Sequence, residues 1–504
     1  DPLAPYSGKW SAREVNHLLK RCLFGVKRKE QERFLPLSAT KAVEILVNGI
    51  NPYFQNFPLN DYDSINSQIV PFGKTWVDAP YNNEDEDGLR RLSLGKFTVE
   101  QLLNQECNLL DKMTLFWHNH FVTEGVMGKA HLIWDNHRMV RRHAMGNIKD
   151  LAKGVTLDCH MLWYLNGELN TKAAPNENYA RELQELFLIG KGPDAAFTES
   201  DVKEAARVLT GWKIDTEKRI SYFDPKDHDS NDKKFSSFYG NKVIKGRSGP
   251  DSGHAELDDL LDMIFGHPET ALFICRKLYR WFVHSHIDAR IEKEIIGPLA
   301  TLLRKNDYQV RPVIATLLRS RHFYDPAIIG GQIKSPYDFC IGFLRSFNIP
   351  LSTSFVHNYS MWHLVLEYCQ VMGQIYFSPP NVSGWPAYYQ APAYYKLWIN
   401  TSTFPKRNEF STMMIDFGFN REGFMFNIDV VAFAASLGAP ADPNQLIKDS
   451  VDLLYQVPLG NAAIQALKKD TLLSGQEQDH YWKDAWQAYT QSPSDPVTQL
   501  IHYP

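Results

Sequence analysis

The sequence predicts a mainly α fold, an irregular assembly of many helices with a small β insertion and long ordered loops. Two observations predict it. Apolar residues recur at helical spacing behind capping residues along most of the chain, whereas the alternation typical of strands is scarce. At 504 residues the chain is also long enough for two or three packed regions.

Several helix starts are readable from their caps. A long surface excursion is expected at residues 51–95, which are rich in Asn, Asp, Pro and Tyr. The next helix is expected to open at Thr98 and to continue through His120. Two capping boxes mark other starts: Ser11 with Glu14, and Thr198 with Asp201.

The pattern divides the chain into four regions. A polar stretch with a short alternating piece, Arg219 to Phe223, predicts a small hairpin between two helical parts. The regions are an N-terminal helical region at 1–212, a polar insertion at 213–254, a second helical region at 255–410, and C-terminal helices at 411–504.

Composition excludes several classes of protein. Hydrophobic content of 44% with 22% charged residues excludes a disordered chain, and a net charge of -4 argues against nucleic acid as a partner. The longest apolar run falls short of the roughly 18 residues that suggest a membrane span. Neither a GxSxG elbow, a Walker loop, a GxGxxG fingerprint nor an HExxH pair stands where its enzyme class needs it.

The segment FWHNHF, residues 116–121, places two histidines on one predicted helix. At about 100° per residue, His118 lies about 200° from His120, so the two side chains point to nearly opposite sides. His120 shares the apolar face with Phe116 and is expected to point into the core. Beside a carboxylate it would form a pair of general base and orienting group.

The segment PNENYARELQELF, residues 175–187, carries a carboxylate at the edge of its apolar stripe. That residue is Glu182, while Glu177 and Arg181 lie along the other flank. Burial of an unpaired carboxylate raises its pKa into a range useful for proton transfer, so Glu182 is a candidate acid, base or ligand. The alternative is structural, with Glu182 salt-bridged to an arginine. The arginines considered are Arg141, Arg142 and Arg207.

A divalent transition metal is a further hypothesis for the same residues, because imidazole and carboxylate suit zinc or iron. The ligand set would be His118, His120 and Glu182, which requires the helix to end at Trp117. The six cysteines stand singly, without a CxxC pair, so their spacing shows no thiolate metal framework.

The segment PPNVSGWPAYYQAPAYYKLW, residues 379–398, combines rigid prolines with aromatic rings. Flat amphipathic rings stack on sugar faces while their polar tips form hydrogen bonds, and such rings equally cover a protein core. Both interpretations stay open. The candidate substrate-binding residues are Asn381, Trp385, Tyr388, Tyr389 and Trp398.

In this order the motifs FWHNHF, NENYARELQELF and PPNVSGWP resemble a large bacterial family of proteins of unknown function, DUF1800. The likeness runs from about Trp10 to Thr403, and IKSPYDF and PPNVSGWPAYYQAP look most like its Bacteroidota branch. The resemblance implies an extracytoplasmic protein, periplasmic, outer-membrane associated or secreted. A first residue of Asp1 fits a processed exported protein or a trimmed chain.

Two functions of different class follow. One is an acid/base, hydrolase-like enzyme acting on a saccharide or other envelope polymer, with Glu182 and His120 central and with Glu177 and Arg181 in positioning roles. The other is a non-catalytic binding or assembly component of the cell envelope, with envelope proteins as partners. In that case the same polar residues form a buried network that fixes the helices.

Overall fold

The computed structural model describes residues 1–62, 69–125, 128–192 and 194–497. The described chain is mainly α, and its strands form three small two-stranded antiparallel sheets, so the predicted fold class is confirmed. None of the helices in these ranges has the length and apolar character needed to cross a bilayer.

The first part of the chain is helical up to the polar insertion. Helix α9 continues directly into a π-helical turn at Leu183–Leu188. The helices are α1 (Ala12–Cys22), α2 (Arg28–Phe34), α3 (Ala39–Val47), α4 (Glu84–Leu103), α5 (Leu110–His120), α6 (Ala130–His143), α7 (Ile148–Thr156), α8 (Cys159–Tyr164), α9 (Asn178–Glu182) and α10 (Glu199–Val208).

The sheets are hairpins. In the polar insertion, β1 (Trp212–Asp215) pairs with β2 (Ile220–Phe223), which is the hairpin expected there. The others are β3 (Lys233–Lys234) with β4 (Val243–Ile244), and β5 (Phe419–Arg421) with β6 (Phe424–Phe426). The last hairpin lies in a region predicted to be only helical. Its turn residues Glu422 and Gly423 both have positive φ, which favours a tight hairpin turn.

The second part of the chain is again helical. Short π-helical turns follow α13, α19 and α22. The helices are α11 (Ser252–Gly266), α12 (Pro268–Phe282), α13 (Ala289–Ile291), α14 (Gly297–Lys305), α15 (Val310–Leu318), α16 (Pro336–Ser346), α17 (Phe355–Val371), α18 (Pro386–Tyr389), α19 (Thr403–Thr412), α20 (Val430–Ala435), α21 (Pro443–Leu454), α22 (Asn461–Ala466) and α23 (His480–Gln491).

Both predicted capping boxes are confirmed. Glu14 accepts hydrogen bonds from the backbone N–H and the hydroxyl of Ser11 at the start of α1. At the start of α10 the hydroxyl of Thr198 accepts from the N–H of Asp201, whose carboxylate accepts from the N–H of Thr198. These bonds satisfy N–H groups that the first turn of a helix leaves free.

The expectation of an irregular excursion over residues 51–95 is wrong for its last part, because α4 begins at Glu84. Asn83 caps the helix by accepting from the N–H of Glu86, at 2.9 Å. Acidic residues in the first turn suit the positive end of the helix dipole. A buried ion pair one turn apart, Glu86 with Arg90 at 2.7 Å, then stabilises the segment.

A single helix from Thr98 through His120 is also wrong, since the chain breaks between α4 and α5. The side-chain oxygen of Asn108 accepts from the N–H of Leu110, at 3.0 Å. Gln105 donates to the carbonyl of Leu102, at 2.8 Å. Two amide side chains therefore satisfy backbone groups at the break, which periodicity of apolar residues does not reveal.

Every residue of α5 is buried, including its polar ones. Asp111 forms an ion pair with Arg141 of α6, and Lys112 forms one with Asp338 of α16. The indole N–H of Trp117 donates to the carbonyl of Ala144, at 2.9 Å. Since a buried polar group without a partner is costly, these bonds fix the elements around α5. All four predicted regions contribute to one main hydrophobic core around this helix.

Helix α16 lies close to the end of α1 because two glycines meet there. Gly25 has a φ of +80°, and a Cβ added to it would lie 2.3 Å from the Cα of Gly342. The approach lets α16 carry Asp338 to Lys112.

Replacing Gly25 by alanine is therefore expected to destabilise the protein by about 1–3 kcal/mol more than the matched change at Gly49. Gly49 also has positive φ, at +65°, but nothing lies within 4 Å of its added Cβ. Both substitutions carry the same conformational strain, so their difference isolates the clash. Urea unfolding followed by circular dichroism measures it, and equal losses would contradict the close approach.

Candidate functional site

Glu182 is the last residue of α9, at the point where the π-helical turn begins. Its Oε2 atom is buried and has no hydrogen-bond partner among the described residues. The neighbouring Arg181 is already engaged. It forms ion pairs with Glu177 at 3.0 Å, Glu185 at 3.5 Å and Glu199 at 2.7 Å.

The arginines considered as structural partners of Glu182 are likewise bound elsewhere. Arg141 pairs with Asp111. Arg207 pairs with Asp229, and the guanidinium of Arg142 lies over the ring of Tyr53. Among the described residues Glu182 therefore has no arginine salt bridge. Burial raises the pKa of its carboxyl, and the nearby charge of Lys191 opposes that rise without cancelling it.

A second carboxylate, Glu124, acts electrostatically on the same tyrosine as Glu182. Burial raises the pKa of Tyr164, and the charges of Glu124 and Glu182 both raise it further, so the phenol is within electrostatic reach of the two carboxylates. The hydroxyl of Ser378 donates to Glu124 at 3.3 Å. Sequence reasoning missed Glu124 and Tyr164, because neither belongs to a motif of recognisable spacing.

His120 points into the core as predicted, but its partner is a carbonyl. Its Nε2 lies 2.7 Å from the carbonyl oxygen of Phe187, in the π-helical turn. A carbonyl only accepts, so Nε2 carries the proton, and Nδ1 is buried without a hydrogen-bond partner among the described residues. Burial lowers the pKa of His120 to about 3, assisted by the charge of Lys277. His120 is therefore neutral near pH 7 and holds the turn that follows Glu182.

His118 points away from His120, because α5 continues through both residues. Its Nε2 donates to the carbonyl of Tyr376, and burial lowers its pKa to about 4. The structure thus does not bring His118, His120 and Glu182 together as a metal ligand set. Across the described ranges no group of three or more His, Cys, Asp or Glu side chains is arranged to hold a metal ion.

A third buried histidine supports Glu124. The Nε2 of His160 lies 3.0 Å from the carbonyl of Glu124, and burial lowers the pKa of this histidine to about 4. His160 is fully buried in α8. Like the other two histidines it satisfies a backbone carbonyl, here in the segment that carries a carboxylate.

The aromatic segment divides into two parts. Trp385 is 1% exposed, and its backbone N–H donates to Asn119 of α5 at 2.9 Å, so it anchors the segment in the core. Tyr389 is half-buried and accepts a hydrogen bond from the exposed Asn381, at 3.1 Å. Trp385 therefore has no face free for a ligand, whereas the tyrosines at 388 and 389 keep part of theirs.

Tyr388 and Trp398 line a cleft between α12, α16 and α18. The ring of Tyr388 lies 4.5 Å from that of Trp281 and 5.5 Å from that of Trp398, between centroids. Tyr394 and Tyr395 complete this aromatic wall. The charged lining residues are Arg21, Lys112, Arg280 and Asp338.

Sequence reasoning identified part of the aromatic wall but did not identify the charged residues that line the cleft. Lys112 and Asp338 are more than 200 residues apart and meet only through packing of α5 against α16. Single basic residues on amphipathic helices are ordinary surface features, so no local signal singles them out.

The chain was compared with known proteins. Residues 17–494, nearly the whole chain, match the model of a family described as "Protein of unknown function (DUF1800)". Neither the curated proteins nor the solved structures gave a match.

Stability should depend on pH through His120. Its pKa is about 3 when folded and about 6.5 when unfolded, so the unfolded chain takes up the proton first as pH falls. Stability is then lost progressively from about pH 6.5 towards pH 3, with about 2 kcal/mol lost by pH 5.

In His120→Gln the amide can still donate to Phe187, but the titration is gone. The change in unfolding free energy between about pH 7.5 and about pH 5 should therefore shrink by about 2 kcal/mol. Urea unfolding at both pH values measures it. The matched change at the exposed His286 should leave the pH dependence unaltered. If His120→Gln and His286→Gln behave alike, His120 is not buried in its neutral form.

Proposed function

The chain belongs to the DUF1800 family of proteins of unknown function, and from this premise and the site we propose that it is an extracytoplasmic enzyme of the acid/base, hydrolase-like class. Its substrate is a saccharide or another polymer of the cell envelope. Glu182 is the group that transfers the proton.

One observation carries the proposal. Glu182 has a buried carboxylate oxygen without a partner among the described residues. An ordinary structural glutamate with a buried oxygen would have a hydrogen-bond or ion-pair partner for it. Burial raises the pKa of this carboxyl, which is the direction that favours the protonated form a general acid needs.

Glu124 supplies the second carboxylate that hydrolysis of a glycosidic bond commonly uses. It shares the surroundings of Tyr164 with Glu182. In this scheme one carboxyl donates a proton to the leaving oxygen, and the other acts from its ionised form on water or on the sugar carbon. The raised pKa of Glu182 assigns the role of the acid to this residue.

The remaining predicted residues act through position. His120 donates to the Phe187 carbonyl and fixes the turn after Glu182, so it is a positioning residue. Arg181 in α9 pairs with Glu177, the residue before this helix, and with Glu199 in α10, which orients the short helix that ends at Glu182. Tyr388 offers a partly exposed ring against which a sugar could stack, whereas Trp398 is buried and packs against Tyr388.

A second function is favoured by a different observation. Three buried histidines, His118, His120 and His160, each bind a backbone carbonyl on another segment. Such a network is what a non-catalytic envelope component would use to fix its helices. Under this alternative Glu182 belongs to the network, and its removal costs stability rather than activity.

Glu182→Gln separates these functions. We expect hydrolysis to fall by about 10²–10⁴-fold, because glutamine cannot donate a carboxyl proton, while the melting temperature stays nearly constant. The measurement is release of reducing ends from peptidoglycan, lipopolysaccharide O-chains and polygalacturonate. Wild-type activity should also decline as pH rises through the raised pKa of Glu182, since the acid form is then lost.

The control variant is Glu185→Gln, which lies one turn away and is ion-paired with Arg181 and Lys191. It should retain activity. Loss of stability without loss of turnover in Glu182→Gln, or no turnover of any polymer by the wild type, would favour the binding component.

The extracytoplasmic location is proposed from the family resemblance. In cells that make the protein, we expect it in the periplasmic or envelope fractions after osmotic shock, beside a periplasmic marker. Recovery with a cytoplasmic marker would contradict the location and the choice of an envelope polymer as substrate.

A further inference from the structure

The aromatic cleft adjoins a second hollow, and the two share Arg21, Gln332 and Asp338 as lining residues. The lining is strongly unbalanced in charge. Asp338 is the only carboxylate among the described residues that line either hollow. The cationic lining residues are Lys20, Arg21, Lys112, Arg280 and Lys334.

Two of these cations have evident structural partners. Arg21 donates to the carbonyl of Phe282 at 2.9 Å and to Gln332 at 2.8 Å, and it lies in the last turn of α1, where the helix dipole favours positive charge. Lys112 is ion-paired with Asp338. The other oxygen of Asp338 accepts from the hydroxyl of Ser335, at 3.0 Å. Both oxygens of the single carboxylate are therefore occupied.

The remaining cations lack a compensating anion in the lining. The Nζ atom of Lys20 is buried and has no hydrogen-bond partner among the described residues. Burial lowers the pKa of this lysine well below its usual range, and the charge of Lys334 at the exposed mouth of the hollow lowers it further. Arg280 lies over the ring of Tyr394, at 5.7 Å, with one long bond to the carbonyl of Ser285.

An unpaired buried ammonium group costs several kcal/mol unless something neutralises it. Helix α1 could avoid that cost with an apolar residue at position 20. A bound anion in the second hollow would satisfy Lys20 beside the exposed Lys334, and Arg280 lines the adjoining cleft. The surplus of cations across the two hollows therefore points to an anionic ligand. The aromatic wall beside these cations points to more than an inorganic ion, because rings of tyrosine and tryptophan offer flat faces for stacking.

We propose that the two adjoining hollows bind an acidic saccharide, with its carboxylate or sulfate group at Lys20 and Lys334 in the second hollow and its sugar ring against the partly exposed Tyr388, Tyr394 and Tyr395 of the cleft. This deepens the proposed function, since it names the substrate class. The inference depends on the proposed function in one respect, because it takes the ligand to be the substrate of that enzyme.

Helix α12 connects this cleft with the surroundings of Glu182. Arg280 and Trp281 at its end line the cleft. Phe273, two turns earlier on the same helix, lies 6.1 Å from the ring of His120.

The test is binding to purified Glu182→Gln, in which cleavage cannot interfere. Calorimetric titration uses three hexasaccharide probes: an oligogalacturonate, a sulfated maltohexaose and neutral maltohexaose. We expect at least one acidic probe to bind at least about tenfold more tightly than the neutral one, and added salt to weaken that binding. Inorganic sulfate alone should bind more weakly than the acidic probe.

Two variants locate the charges. Lys20→Met and Arg280→Met should each weaken binding of the acidic probe by about tenfold or more, the value of one lost charge-assisted contact. The matched controls Lys41→Met and Arg290→Met change exposed residues that pair with Glu44 and Glu294, and they should bind as the parent does. Lys20→Met should melt no lower than the parent without ligand, because it removes a buried charge without a partner.

The outcomes separate this inference from the proposed function. Tight binding of an acidic probe that the wild type never cleaves supports the inference and contradicts the proposed enzymatic function. Equal affinity for acidic and neutral probes, or binding of inorganic sulfate alone, overturns the inference, even if the wild type cleaves a neutral polymer. Unchanged binding in both Lys20→Met and Arg280→Met also overturns it.

Discussion

The structure depends on one constraint, that the wholly buried helix α5 carries polar side chains, each of which must find a partner in the core. Its asparagine, histidines, lysine and aspartate reach segments distant in the chain. Asp111 binds α6, Lys112 binds α16, and Asn119 accepts from the backbone of Trp385. Removing a partner leaves a buried polar group unsatisfied, so the surrounding elements can assemble around α5 in few other ways.

The same constraint shapes the surroundings of Glu182. His120 binds the carbonyl of Phe187 in the π-helical turn that follows α9, and such turns often occur at functional sites. The side chain that positions the turn is itself kept neutral by burial. Glu182 then lies at the start of the turn with an oxygen that no described residue binds, while Arg181 serves the neighbouring glutamates. Packing thus separates one carboxyl from the ion-pair network around it.

The cleft and the adjoining hollow show the opposite imbalance of charge, because their cations outnumber the carboxylates that could pair with them. Lys112 is paired with Asp338, but the Nζ atom of Lys20 is buried with no hydrogen-bond partner among the described residues. A chain selected only for stability would replace such a lysine by an apolar residue. A site that lowers the stability of a protein is commonly a binding site. Here the cations favour a negatively charged ligand, and the aromatic wall beside them favours one with a flat face.

The sequence by itself determined the mainly α class, both capping boxes, the hairpin in the insertion and the opposite directions of His118 and His120. These follow from residues close together in the chain, whose spacing sets helix faces and caps directly. It also singled out Glu182 as a carboxylate at the edge of a buried stripe. Only the tertiary structure decided that Glu182 has no arginine partner and that Lys20 and Asp338 line one hollow. Such contacts join residues hundreds of positions apart, and their energies depend on burial, which exists only once the helices pack.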